Sequence, residues 1–179
     1  MFDAAKFKAL VHYVIARVED PSQLGAVKLN KIVWFIDGQA YVRTGKTLTG
    51  ARYIKEPQGP VAKAMLPLLR ELQNEGAIAV ESVDYYGRGK WQYRSLKDAP
   101  AKAFSPEERK YIDEITDVIA LHHTAKSISE ATHGRAWKLA RNGEDLPFHA
   151  VLAEDLQPVT EEDIAWARER MSAYEAAVA

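Results

Sequence analysis

Apolar residues recur at three- and four-residue intervals along the first part of the chain, a period typical of amphipathic helices. A stripe over residues 3–19 predicts a first helix that ends at Asp20-Pro21. A second stripe starts at Leu29 and predicts a helix apolar enough to be central, with Gly45 as its C-terminal stop. Three polar residues of this second helix lie off the apolar stripe: Lys28, Lys31 and Asp37.

The helical period lapses after the second helix. Turn residues dominate between residues 46 and 59, although residues 51–54 could form a short extended segment. Pro60 suits the first turn of a helix, because its missing N–H would have no partner there. We therefore predict a third helix from Pro60 to about Glu75, with a kink or break at Pro67.

After Gly76 the period changes to two, as in a β-strand. Alternating apolar residues on both sides of a turn-rich segment predict one small β-hairpin at about residues 77–96. Residues 97–104 resemble a linker. Ser105-Pro106-Glu107-Glu108 then has the residues of a capped helix start, which predicts a long helix to about His123.

Shorter segments complete the chain. One helix is predicted through Ile128 toward Thr132-His133-Gly134, and residues 160–174 contain a last amphipathic stripe. The whole pattern predicts a mainly α, α+β fold, in which a helical domain contains one small hairpin and continues into a C-terminal helical extension.

Composition narrows the classes of function. The 179 residues contain 47% apolar residues and no cysteine, so the chain can bury a core in one domain but cannot form disulfides, thiolate zinc sites or iron–sulfur clusters. The longest apolar run, Ile32–Ile36, is far too short for a membrane helix. We therefore expect a soluble, cytoplasmic protein without membrane contact.

Charge is unevenly divided along the chain. Residues 1–97 contain 15 Lys and Arg against 9 Asp and Glu, whereas residues 98–179 contain 9 against 16. A basic face and an acidic face could each attract a partner of opposite charge, although ordinary solvated faces explain the same counts.

Signatures of common catalytic sites are missing from the sequence. Gly45-Lys46-Thr47 resembles the end of a phosphate-binding loop, but the preceding glycine, Gly38, has the wrong spacing. The five histidines include no pair at zinc-protease spacing, and no Gly-x-Ser-x-Gly occurs. We therefore expect no catalytic residues, no metal site and no cofactor.

Two kinds of binding remain open, to DNA or to another protein. The order of a helix over residues 60–75, then Gly76, then a hairpin with a basic turn is that of a winged helix. Large aromatic residues such as Trp34 and Trp137 could instead anchor a protein partner, although core packing explains both of them. In the DNA alternative, five cations would contact phosphates, namely Lys63 and Arg70 on the helix and Arg88, Lys90 and Arg94 on the hairpin.

Four blocks of sequence, taken together, resemble one known family. They are residues 28–35 (KLNKIVWF), 45–48 (GKTL), 59–61 (GPV) and 124–137, the last with Thr132-His133 ahead of Trp137. Their order and spacing resemble the Panacea, or SocA-like, antitoxin family over about residues 5–140. That family implies a mostly helical domain that neutralises a toxin by binding it, and some members deliver the toxin to a cytoplasmic protease.

The resemblance implies a non-enzymatic antitoxin whose partner is a toxin encoded by a neighbouring gene, with a protease and a second copy of the chain as further partners. Residues 1–140 would form the family's domain, and residues 141–179 a C-terminal loop and helix packed on it. We expect His133 to be a hydrogen-bonded structural histidine, with a binding or catalytic role as the alternative. The candidates for partner binding are the motif residues Trp34, Gly59, Pro60, Val61, Thr132, His133 and Trp137.

Overall fold

The computed structural model describes residues 1–85 and 87–152, together with Glu161, Ala165 and Arg170; for Tyr85 and Arg88 it describes the backbone only. The predicted mainly α, α+β fold is confirmed. Most of the predicted helix over residues 160–174 lies outside the described residues. The helices and strands are α1 (Ala4–Arg17), α2 (Ala26–Thr44), β1 (Tyr53–Glu56), β2 (Gly59–Ala62), α3 (Met65–Asn74), β3 (Ile78–Tyr85), β4 (Arg88–Ser95), α4 (Pro106–His122), α5 (Ala125–Glu130), α6 (Arg135–Leu139) and α7 (Phe148–Leu152).

Helix α2 is the central element and contacts α1, α4, α5 and β2. The unbroken apolar run Ile32–Ile36 leaves the helix without a wholly polar face, so it is surrounded by other elements. As predicted, it ends at Gly45, whose left-handed backbone (φ 71°) lets its N–H donate to the carbonyl of Tyr41. Lys31 and Asp37, which lie off the apolar stripe, are nevertheless only 1% and 0% exposed.

Helices α1 and α4 begin at capped positions. The Asp3 side chain accepts the N–H of Lys6, and Ser105 and Glu108 form the predicted capping box at the start of α4. The two helices pack together and are linked at the surface by Arg17 and Asp117, whose side-chain N and O atoms lie 2.6 Å apart. Because this pair is exposed, it adds little stability.

The predicted helix start at Pro60 is wrong. Residues Gly59–Ala62 form strand β2, which pairs antiparallel with β1, so the described residues contain two hairpins instead of one. Strand β2 lies at a sheet edge, where its proline is tolerated because no neighbouring strand needs the missing N–H. Helix α3 begins at Met65, and Pro67 falls in its first turn, where a missing N–H breaks no helical bond.

The predicted hairpin at about residues 77–96 is confirmed as β3 and β4, paired from Ile78↔Ser95 to Tyr85↔Arg88. Ile78 and Tyr93 are buried on the side that contributes to the core. The backbone N–H of Leu96 donates to the carbonyl of Ala77 and closes the open end of this hairpin.

Residues 143–146 lie along the outer edge of β1. The Lys55 N–H donates to the Glu144 carbonyl (2.9 Å), and the Leu146 N–H donates to the Tyr53 carbonyl (2.8 Å). Helix α7 follows, and its Phe148 ring stacks on Trp34 with the ring centroids 4.2 Å apart. Within the described part of the chain, no helix has both the length and the hydropathy to cross a bilayer.

Candidate functional site

Three of the four sequence blocks, all except residues 45–48, meet at the closed end of the β1–β2 hairpin. Its strands are short, so the backbone carbonyls near the turn have few strand partners. Three of them instead accept side chains from three different helices, and this holds the hairpin end in place from several directions. The bonds run from Trp137 Nε1 to the Glu56 carbonyl (3.1 Å), from Ser129 Oγ to the Gln58 carbonyl (2.8 Å) and from Lys31 Nζ to the Pro60 carbonyl (2.8 Å).

At Gly59 the hairpin backbone packs closely against the side chains of Thr132 and Lys31. Its φ of +97° is a conformation that side chains disfavour. A Cβ atom placed there would lie 2.3 Å from Thr132 Oγ1 and 2.8 Å from Lys31 Cε. The Thr132 hydroxyl donates to the Ser129 carbonyl (2.7 Å), so it is held against the glycine. Glycine is therefore required both by the backbone and by the packing.

Lys31 is a buried amine below the hairpin end. Its Nζ donates to the Pro60 carbonyl, and no carboxylate among the described residues pairs with it. Burial lowers the pKa of Lys31 to about 7. The ammonium group therefore loses its proton far more easily here than in water.

His133 and Trp137 form a flat stack at the edge of the cluster. Their rings lie 3.7 Å apart at 9°, and Lys55 Nζ lies 4.2 Å from the centroid of the Trp137 ring. Burial, and then the positive charge of Lys31, lower the pKa of His133. Its Nε2 is 3.4 Å from Ser129 Oγ, so the neutral ring has a local hydrogen-bond partner.

Burial separates the seven motif residues into two groups. Val61, His133 and Trp137 are half-buried and leave some surface free. Partner binding by these residues stays a prediction, and the half-buried group is the part of the motif that a partner could touch. The buried group is Trp34, Gly59, Pro60 and Thr132.

A second buried polar group lies behind β1. The Asp37 carboxylate accepts the Thr49 N–H (2.8 Å), the Thr49 hydroxyl (2.6 Å) and the Tyr53 hydroxyl (2.7 Å). Burial raises the pKa of the Asp37 carboxyl, whereas the hydrogen bonds from Thr49 and Tyr53 lower it. Through these bonds α2 holds the loop before β1 and the first residue of β1.

Comparison with known proteins identifies the family. A family model described as "Antitoxin SocA-like, Panacea domain" matches residues 29–138, more than half of the chain. The chain belongs to this family. The resemblance derived from the sequence blocks is thereby confirmed. Searches of curated proteins and of solved structures return no match.

The burial of Lys31 and Asp37 in this Panacea domain was not predicted from the sequence. A signal was present, since both flank the apolar run Ile32–Ile36 on a helix judged central. A helix surrounded by other elements buries its polar residues as well, and these then need internal partners. Amphipathic periodicity alone assigns such residues to the solvent side.

The cations of the DNA-binding alternative are not gathered on one free surface of the Panacea domain. Lys63 follows β2 instead of lying on a helix, and it pairs with Asp145 at 3.1 Å. Arg94 pairs with Glu81 at 3.2 Å, and Lys90 Nζ donates to the Ser22 carbonyl. Arg70 is exposed on α3, and the side chain of Arg88 lies outside the described residues.

Helix α3, the recognition helix of the DNA-binding alternative, also carries acidic residues. Glu71 lies on it and Glu75 is its C-cap residue, and both pair with Lys8 of α1. These carboxylates would oppose a phosphate backbone, so the DNA alternative has little support from the structure.

The buried amine of Lys31 makes stability depend on pH. The unfolded chain keeps this proton up to about its ordinary pKa of 10.5, whereas the folded chain releases it above about 7. The unfolded state therefore binds more protons in this window, and the free energy of unfolding rises with pH through it. Between pH 7 and pH 9, we expect the free energy of unfolding of wild type to rise by about 2 kcal/mol more than that of Lys31→Met.

Urea unfolding at pH 7, 8 and 9 measures this difference. Lys126→Met, which removes an exposed lysine of α5, is the matched control and should follow wild type. If the curves of wild type and Lys31→Met rise in parallel, Lys31 keeps its ordinary pKa in the folded protein.

Proposed function

We propose that this protein is an antitoxin that neutralises a toxin encoded by a neighbouring gene through direct protein–protein binding in the cytoplasm. The observation that carries the proposal is the family match, which covers residues 29–138. The matched range includes all four sequence blocks except Lys28, the first residue of the first block. In this proposal the chain acts by covering the toxin, without chemistry of its own.

The use of the motif side chains supports binding over catalysis. The donors of Lys31, Ser129 and Trp137 bond to backbone carbonyls of one hairpin, which is a structural use. No group of three His, Cys, Asp or Glu among the described residues could hold a metal ion. A rigid hairpin end held by three helices would provide a preformed surface, which lowers the entropic cost of association.

Co-expression tests the proposal. The toxin candidate is the product of the adjacent gene, produced from an inducible promoter with and without the antitoxin candidate. We expect induction alone to stop growth, co-expression to restore it, and the two proteins to co-purify. Growth arrest that persists in the presence of the antitoxin candidate, with no complex on co-purification, would contradict the proposal.

Delivery to a cytoplasmic protease is an extension of the same proposal. In that case the toxin would be degraded faster when the antitoxin candidate is present, and the half-life of a tagged toxin after synthesis is stopped would measure this. An unchanged half-life together with restored growth would leave neutralisation by covering and exclude delivery.

A further inference from the structure

Helices α2, α4 and α5 leave an apolar groove between them on the surface. Its volume is about 300 Å³, and His123, Gln39 and Glu114 lie at its polar margin. Its apolar lining consists of Phe35, Ile115, Val118, Ile119 and Ile128.

Helix α4 has apolar side chains that are exposed to solvent as well as those buried in the core. Ile112 and Ile119 are buried, but Val118, which lines the groove, is 49% exposed. Leu121 is 60% exposed but lines a separate depression beside α1. Exposed aliphatic residues that adjoin an apolar depression mark an interaction site more often than single scattered ones do. This face of α4 is therefore suited to bury against another polypeptide.

The margin of the groove contains one acidic residue, Glu114. Glu114 lies one turn before Val118, is exposed, and takes part in none of the ion pairs formed among the described residues. A partner that placed a lysine or arginine beside its apolar anchors would complement this charge.

We propose that this groove is the docking site for the toxin, and that the toxin inserts an amphipathic helix whose apolar face is flanked by a basic residue. A groove between helices with an apolar floor is a common receptor for such a helix. The apolar anchors would contact Phe35 and Val118, and the basic residue would pair with Glu114. This inference rests on the proposed function and names the surface that performs it.

Paired variants test the docking site with the adjacent gene product as the probe. Val118→Asp puts a charge on the groove floor, and we expect at least a tenfold loss of toxin affinity by calorimetry. Glu114→Lys should weaken binding several-fold and reduce its dependence on salt. Leu66→Asp, at a 65% exposed position on α3, makes the same kind of change elsewhere and should bind like wild type.

The outcomes separate this inference from the proposed function. If wild type does not bind the gene product, both are overturned. If wild type binds and Val118→Asp binds equally well, the proposed function stands and the docking site is overturned. Thermal unfolding of each variant shows that it is folded, which is expected because all three positions are exposed.

A second copy of the chain is the other candidate occupant. Sedimentation of wild type and Val118→Asp without toxin detects it. If the substitution converts a dimer to a monomer and leaves toxin affinity unchanged, the groove is a self-association surface, and the proposal is overturned. A sedimentation coefficient unaffected by the substitution, together with lost toxin affinity, supports the proposal.

Discussion

Gly59→Ala is expected to lower the free energy of unfolding by about 3 kcal/mol. About 1 kcal/mol comes from the positive φ of +97°. The rest comes from overpacking, since the new Cβ would lie 2.3 Å from Thr132 Oγ1. Relief would require the hairpin end to move away from α2 and α5, which would lengthen the bonds that hold it.

Gly76→Ala is the matched control. Gly76 also has a positive φ, of 62°, but no atom lies within 4 Å of the position where its Cβ would be. We expect Gly76→Ala to lower the free energy of unfolding by about 1 kcal/mol, which is the contribution of the positive φ alone. Urea unfolding of both variants measures the difference, and equal losses would show that the contact between Gly59 and Thr132 carries no packing cost.

Asp37→Ala is expected to lower the free energy of unfolding by about 3 kcal/mol. The substitution leaves two hydroxyls and one backbone N–H without the acceptor that they share, in a site that is 0% exposed. Relief from burying a carboxylate offsets part of this cost, which is why the expected loss is not larger.

Tyr53→Phe separates the parts of this network. It removes one donor but keeps the carboxylate and both bonds from Thr49, so it should cost about 1 kcal/mol. Chemical unfolding at neutral pH compares the two variants. If Asp37→Ala costs no more than Tyr53→Phe, the carboxylate is not the organising group.

Elements governed by neighbouring residues could be predicted from the sequence. The capping box of Ser105 and Glu108 and the αL stop at Gly45 are formed within a few residues of chain, and both occur where predicted. The alternating residues of β3 and β4 likewise predicted the second hairpin. In each case the element is set by interactions between residues close together in the chain, so the local sequence pattern is sufficient to predict it.

The β1–β2 hairpin could not be predicted from its local sequence. Gly59-Pro60 is equally compatible with a helix start and with a strand that follows a turn, since proline lacks an N–H in both. The donors that select the strand, Lys31 and Ser129, are 29 and 71 residues away from the carbonyls they bond. Such bonds exist only once the helices have packed.

For the candidate site too, one part could be predicted from the sequence and another was decided by the tertiary structure. The four sequence blocks were sufficient to recognise the family, because order and spacing along a chain are properties of the sequence. Their physical roles were decided by packing: Lys31 and Asp37 became buried when elements covered α2 on several sides, and four of the seven motif residues left the surface with them. Periodicity along one helix records which face is apolar, whereas the burial of its remaining faces depends on which distant segments come to lie against it.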